Sequence, residues 1–170
     1  MNTEELAVLE EEWLSRQRSP TKDRAALYER IGVYAAWRDI FKQYVARARE
    51  GDVEAVKRAL YLVWAERSGD PLLTGVKGLD EGSIIEVFHL VDGLARAGRI
   101  DGELQWMLPY YYVIDPLYLD RFEGYDALKR ASSAQPFLLY RQRCLTGSFD
   151  HRGQMGEYWK TKQAHLRRWP

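Results

Sequence analysis

The sequence predicts an all-α fold: a single-domain antiparallel bundle of about seven or eight helices, with solenoid-like stacking of helical hairpins as its variant. Three observations lead there. Apolar residues recur near the helical period in every convincing segment, and no run rich in Val, Ile or Thr alternates as a strand does. Start and stop signals, Asn, Asp or Ser before a segment and Gly or Pro after it, punctuate the chain. At 170 residues, 46% hydrophobic and 29% charged, it has the size and composition of one globular domain.

The elements follow in order. Asn2 and Glu5 have capping-box spacing, and Leu6, Leu9 and Trp13 set one apolar face of a first helix that Pro20 ends. A long second helix is expected from Thr21 or Asp23 to about Glu50, with Leu27, Ile31, Tyr34, Phe41, Val45 and Ala48 in near-heptad spacing. Gly32 and Arg38 interrupt that seam, which favours a core face over a coiled-coil homodimer. Gly51 closes this helix and Asp52 caps the next. There Val53, Val56, Leu60, Val63 and Trp64 form the strongest stripe, widened by Tyr61 and Leu62. The stretch from Val53 to Arg67 is therefore expected as the central helix, packed against 24–49 and 83–97.

Ser68-Gly69-Asp70-Pro71 stops that helix. Leu72 to Leu79 reads as a loop anchored by Leu72 and Leu73, and its glycine spacing does not fit a phosphate-binding loop. Asp80 or Ser83 starts a helix bearing Ile84, Val87, Phe88, Val91 and Ala95, closed by Gly98. Asp101 caps a helix to about Leu108. Pro109 predicts a kink or break there, so Tyr110, Tyr111 and Tyr112 are expected on a turn. Asp115 and Pro116 read as the N-cap and first turn of a short helix. A turn at 123–126, a short helix to Ala131 and a helix from Pro136 through Cys144 follow. Thr146 to Gly156 is polar and glycine-bearing, the expected mobile linker. Residues 1–146 thus form the helical domain, and 147–170 a polar linker plus a C-terminal helix packed on it.

The totals bound the function. Net charge is zero and the pI is about 6.8, which argues against a dedicated nucleic-acid binder. The charge is nonetheless segregated: 1–12 is acidic, 13–79 basic, 80–126 strongly acidic and 137–170 basic. The single cysteine, Cys144, cannot form an internal disulfide, and no signal peptide opens the chain, so a cytoplasmic location is expected. No apolar run approaches the ~20 residues needed to span a bilayer.

The chemistry-bearing motifs are weak. Glu86 and His89 have the Glu-x-x-His spacing of di-iron bundles, but those sites need a second such motif and two further Glu. Adjacent Asp150 and His151 seldom direct their side chains at one another. Cys144 has Arg141 and Arg143 nearby but no His placed by sequence, so a structural thiol is expected. No cofactor or metal is expected. Glu103, Asp115 and Asp120, beside Trp106 and Tyr110, have the residue types of a carboxylate-dependent hydrolase acting on sugars. The tail from Glu157 to Trp169 sets Tyr158, Trp159 and Trp169 among Lys160, Lys162, Arg167 and Arg168, a pattern that could stack on bases and meet phosphates.

The distinctive stretch is 106–122. Trp106, Tyr110, Tyr111, Tyr112 and Tyr118 lie interleaved with Asp115 and Asp120. Amphipathic rings beside carboxylates suit a protein contact surface, with rings as anchors and carboxylates for orientation. They equally suit a packed corner between helices. The expectation is a helical protein-interaction or adaptor domain without catalytic activity, meeting another protein through these seven residues. Carboxylate hydrolysis and nucleic-acid contact through the tail are the alternatives.

Overall fold

The computed structural model describes residues 1–120, 123–135, 145 and 147–166. Among them are ten helices and no strand. The two beyond eight come from one split helix and one unexpected single-turn helix.

The first helix, α1 (Thr3–Gln17), begins on its capping box: Asn2 Oδ1 accepts the Glu5 N–H and Glu5 Oε2 accepts the Asn2 N–H, both at 2.8 Å. Its buried face is not the expected one. Leu6, Ala7, Glu10, Leu14 and Gln17 are buried, while Leu9 and Trp13 are only partly covered. Two polar side chains, Glu10 and Gln17, occupy the inner face, and the partners of Glu10 come from distant elements.

The expected long second helix is two. Gly32 adopts φ +75°, ending α2 (Arg24–Ile31) before α3 (Val33–Arg49) begins. A left-handed residue cannot continue a right-handed helix, and only glycine adopts it without a Cβ clash. The heptad seam is thereby interrupted, and its Phe41, Val45 and Ala48 are spent inside the fold's own core.

Next comes α4 (Val53–Ser68), capped by Asp52 Oδ1 accepting the Ala55 N–H at 3.1 Å. Every residue from Ala55 to Ala65 is buried, so α4 is covered all round. It packs against α3 and α6 (Glu81–Arg96), as the stripes predict, and also against α7 (Leu104–Ile114), α8 (Leu117–Asp120) and α10 (Gly153–Leu166).

Between α4 and α6 lies the single turn α5 (Pro71–Thr74). Leu72 and Leu73 do not anchor this stretch; they are exposed, and Val76 and Leu79 point inward instead. Asp80 caps α6 by accepting the Ser83 N–H at 2.8 Å.

Helix α7 runs through Pro109 without breaking. A proline inside a helix costs ~3 kcal/mol, and burying each large side chain returns ~1.5–3 kcal/mol. Met107, Leu108, Tyr110 and Tyr111 are all buried by keeping the helix whole. Gln105, whose carbonyl loses its usual donor at Pro109, is exposed to water. As expected, α8 starts at Asp115, whose Oδ1 accepts the Leu117 N–H at 3.1 Å. Helix α9 (Asp126–Ser133) completes this side against α6 and α7. The expected helix from Pro136 through Cys144 lies outside the described residues.

Helix α10 packs on α1 and α4. The segment expected to be a mobile linker is tied down: Phe149 is in the core, and Arg152 is held by two carboxylates described below. No helix among the described residues is long and apolar enough to cross a membrane.

Leu60 sits fully buried in the middle of α4. Leu60→Ala should lower unfolding free energy by ~2–5 kcal/mol in denaturant melts, the range for deleting a buried leucine. A loss below about 1 kcal/mol would make this helix peripheral.

Candidate functional site

The rings singled out by sequence form packing, not surface. Trp106, Tyr110, Tyr111 and Tyr118 are each at most 2% exposed. Tyr111 stacks on Trp64 with centroids 4.8 Å apart, and Trp106 meets Trp159 edge-on at 4.6 Å. Tyr110 contacts Trp159 and hydrogen-bonds the Tyr158 hydroxyl. These rings join α4, α7 and α10 into one aromatic cluster. Tyr111 faces the Trp159 indole and Tyr118 the Ser132 hydroxyl, though none of these four atoms meets hydrogen-bond geometry. On a helix three successive side chains diverge, and Tyr112 is the one that turns outward, partly buried.

Because the rings face inward, the surface of this stretch is its C-terminal corner. Asp115 Oδ2 accepts the Ser68 hydroxyl at 3.3 Å and lies 3.3 Å from Arg67 Nε, fastening the corner to the end of α4. Asp120 is exposed. Ile114 and Leu117, on either side of Asp115, are 47% and 58% exposed. Sequence reasoning passed over both, because isolated aliphatic residues carry no signal beside a run of tyrosines.

The three hydrolase carboxylates are not brought together. Glu103 and Asp115 stand at opposite ends of α7, and twelve residues of helical rise separate them by ~18 Å, beyond the ~5–10 Å that a carboxylate pair needs. The other motifs also separate. Glu86 pairs with Arg49, and the exposed His89 rests edge-on against Tyr125. Asp150 pairs with Lys160, and His151 Nδ1 lies 3.5 Å from Glu11. Among the described residues no group of three or more His, Cys, Asp or Glu could hold a metal ion. In the tail, Tyr158 and Trp159 pack inward and Lys162 lies over the Tyr110 and Tyr158 rings. Arg167, Arg168 and Trp169 lie outside the described residues.

What the acidic block does appear in is a cleft of about 1190 Å³ where the N-termini of α1, α4, α7 and α10 converge. Its lining holds seven carboxylates and three permanent cations, so its field is negative. The floor is a continuous ion-pair network. Lys57, on α4, reaches Asp101 at 2.6 Å and Glu103 at 2.7 Å. Arg152 bridges Glu103 at 2.7 Å and Glu54 at 2.8 Å. Arg58 bonds Glu54 at 2.8 Å and the Tyr44 hydroxyl at 3.0 Å. Tyr44 in turn donates to Glu10, whose Oε2 accepts the Gln154 N–H at 2.7 Å.

Burial alone would push Lys57 down and Glu103 up. Their partners reverse both: Asp101 and Glu103 hold the ammonium above its usual value, while Arg152 and Lys57 hold the Glu103 carboxyl below the usual range. Glu103 is therefore a fixed counter-ion with no proton to give. Glu10 behaves oppositely. Complete burial pushes it up to about 7, against the lowering effect of Tyr44, the Gln154 N–H and Arg58. It caps α10 from another helix, and Gly153 has no Cβ because one would lie 2.2 Å from Glu10 Oε2. No family model matches the chain, and no curated protein or solved structure matches it either.

The folded chain binds the Glu10 proton more tightly than the unfolded chain, whose ordinary value is 4.5. That stability is fully present below about pH 4.5 and is lost as pH rises through 7. Relative to Glu10→Gln, the natural protein should lose on the order of 1–3 kcal/mol between pH 5 and pH 8 in denaturant melts. Parallel pH profiles of the two proteins would show that Glu10 does not titrate in this window.

Proposed function

We propose that this chain is a helical protein-interaction domain, an adaptor without catalytic chemistry of its own, whose contact surface is the corner joining α7 to α8. One observation carries the reading. Six large apolar side chains are exposed among the described residues, and four of them, Leu72, Leu73, Ile114 and Leu117, flank the C-terminal end of α4. Asp115 ties the α7–α8 corner to Ser68, and α5, with both leucines, begins three residues further on. Scattered apolar residues need no explanation, whereas several at one end of a molecule suit a binding surface. Asp115, Asp120 and the partly buried Tyr112 supply its polar rim.

The buried rings contribute by holding that corner rigid, which limits the entropy lost on binding. The same geometry favours binding over carboxylate hydrolysis, since Glu103 is locked by two cations and stands far from Asp115. It favours a protein partner over nucleic acid, since the described tail aromatics are used in packing.

The test is a pair of double variants, Ile114→Ser with Leu117→Ser and Leu72→Ser with Leu73→Ser. Side chains this exposed should leave the melting temperature within about 2 °C. A photo-cross-linking residue placed at Leu117 should trap a partner protein, or a second copy of this chain, in cells. One placed at the exposed Ala35 should trap neither. Equal cross-linking at both positions, or partners retained by both double variants, would contradict the assignment.

A further inference from the structure

Glu10, 2% exposed, lies where α10 rests on α1, and three elements hold its carboxyl group. Tyr44 of α3 donates to Oε1, which also lies 3.9 Å from Arg58 Nη1 of α4. The Gln154 N–H of α10 donates to Oε2 at 2.7 Å. Gly153 closes over the same group: a Cβ there would fall 2.2 Å from Oε2, 2.3 Å from Cδ and 2.6 Å from Oε1. The start of α10 is therefore the wall that separates this carboxyl from water.

The chain before that wall is fixed, and a pivot follows it. Arg152 is clamped between Glu54 and Glu103, and the His151 carbonyl accepts Arg58 Nη2 at 3.4 Å. Gly153, at φ +55°, comes next, and a glycine can change its backbone angles without a Cβ clash. Two ties further along α10, Arg18 to Glu157 and Lys160 to Asp150, are exposed ion pairs that contribute little. The apolar hold is Trp159, packed edge-on against Trp106 and Tyr110.

Ionising Glu10 while α10 is closed is unfavourable. Burial pushes the carboxyl up to about 7, and the Glu54 carboxylate adds to the effect, against Tyr44, the Gln154 N–H and Arg58. The other groups facing it keep their state. Burial raises the Tyr44 and Tyr61 hydroxyls above their ordinary range. Burial alone would lower Arg58, yet Tyr44, Glu54 and Glu10 hold it above its ordinary value. Turning α10 away brings water to Oε2 and returns the carboxyl toward its ordinary 4.5, so ionisation favours the open form.

We propose that Glu10 is a proton-operated latch on α10: protonated, it keeps the helix closed, and ionised, it lets the helix swing out about Gly153 while Arg152 stays anchored. Opening uncovers the faces of Tyr61, Trp64, Trp106 and Tyr110 that Tyr158 and Trp159 cover. The sign follows from the proton. Closure is fully stabilised below about pH 4.5 and weakens as pH rises through 7. The open-to-closed ratio accordingly rises on the order of 10–100-fold between pH 5 and pH 8. This device does not depend on the proposed contact corner.

The test is native-state hydrogen exchange of the full chain between about pH 5 and pH 8, each rate corrected for the intrinsic pH dependence of amide exchange. Amides of α10 from Trp159 to His165 should open at a lower free energy than those from Ala59 to Ala65 on α4. Their opening ratio should be ~10–100-fold larger at the upper end of the range. It should climb to about pH 7 and level off above, in step with the side-chain carboxyl signal of Glu10. Glu10→Gln, which keeps the size and removes the charge, should flatten the profile. The carboxyl titration uses the natural chain and decides the matter even if that variant does not fold. Equal opening of α10 at both ends of the range would overturn the proposal, as would α10 exchange only together with α4. So would a Glu10 signal that does not titrate in this range, or a rise with pH that persists in folded Glu10→Gln.

Discussion

Burial of α4 on every side from Ala55 to Ala65 is the constraint from which the rest of the structure follows. A helix covered on every side normally consists of apolar residues, and α4 breaks that rule at Lys57 and Arg58. Two adjacent cations point to different sides of the helix and cannot share one counter-ion. Carboxylates must therefore come from two directions. The start of α7 supplies Asp101 and Glu103 to Lys57, while Glu54 and the Glu10–Tyr44 pair serve Arg58. Removing one partner from such a buried pair costs ~3–5 kcal/mol, although the network as a whole need not be net stabilising. The acidic block is accordingly structural at its inner end, which is why its carboxylates are not poised for acid–base chemistry.

The network also fixes the C-terminal part of the chain. Arg152 fits between Glu54 and Glu103, and Glu10 caps α10 two residues later, so a glycine-bearing segment becomes an anchored joint. Four helix N-termini meet at this end, and the carboxylates there offset their dipoles as well as the buried cations. At the far end of α4 the chemistry changes to rings. Tyr61 and Trp64 meet Tyr158, Tyr110 and Tyr111, so the same helix is held by charge at its start and by aromatic packing at its end. Beyond the rings Ile114 and Leu117 are exposed beside Asp120, and the proposed contact corner stands on that base.

Much of this was legible in the sequence where the cause is local. Asn2 with Glu5, Asp52, Asp80 and Gly98 are read within a few residues, and each marks a helix end in the structure. The stripe through Val56, Leu60 and Val63 identified the central helix. The split at Gly32 has a local cause, and the other misreadings named here are cases of distant partners winning. Leu9 and Trp13 fit an apolar period on α1, yet Glu10 faces inward because Tyr44, Arg58 and the start of α10 stand there. Pro109 argued for a break, and the packing of Leu108 and Tyr111 outweighed it. Trp106 to Tyr118 looked equally suited to surface and core, because amphipathic rings fit both. Lys57 and Arg58 were the available clue: two cations in the middle of an apolar helix announce carboxylates to come, though not which ones.

The most direct measurement of this account is native-state hydrogen exchange along α4. Amides from Ala59 to Ala65 lie in a helix wrapped by α3, α6, α7, α8 and α10, so no sub-global opening should expose them without dismantling the bundle. They should exchange with the free energy of global unfolding and with its full denaturant dependence, while amides of α1 and α10 exchange through smaller openings. Exchange of the α4 amides at a lower free energy than those of α1 or α3 would contradict the claim that the bundle is built around this helix.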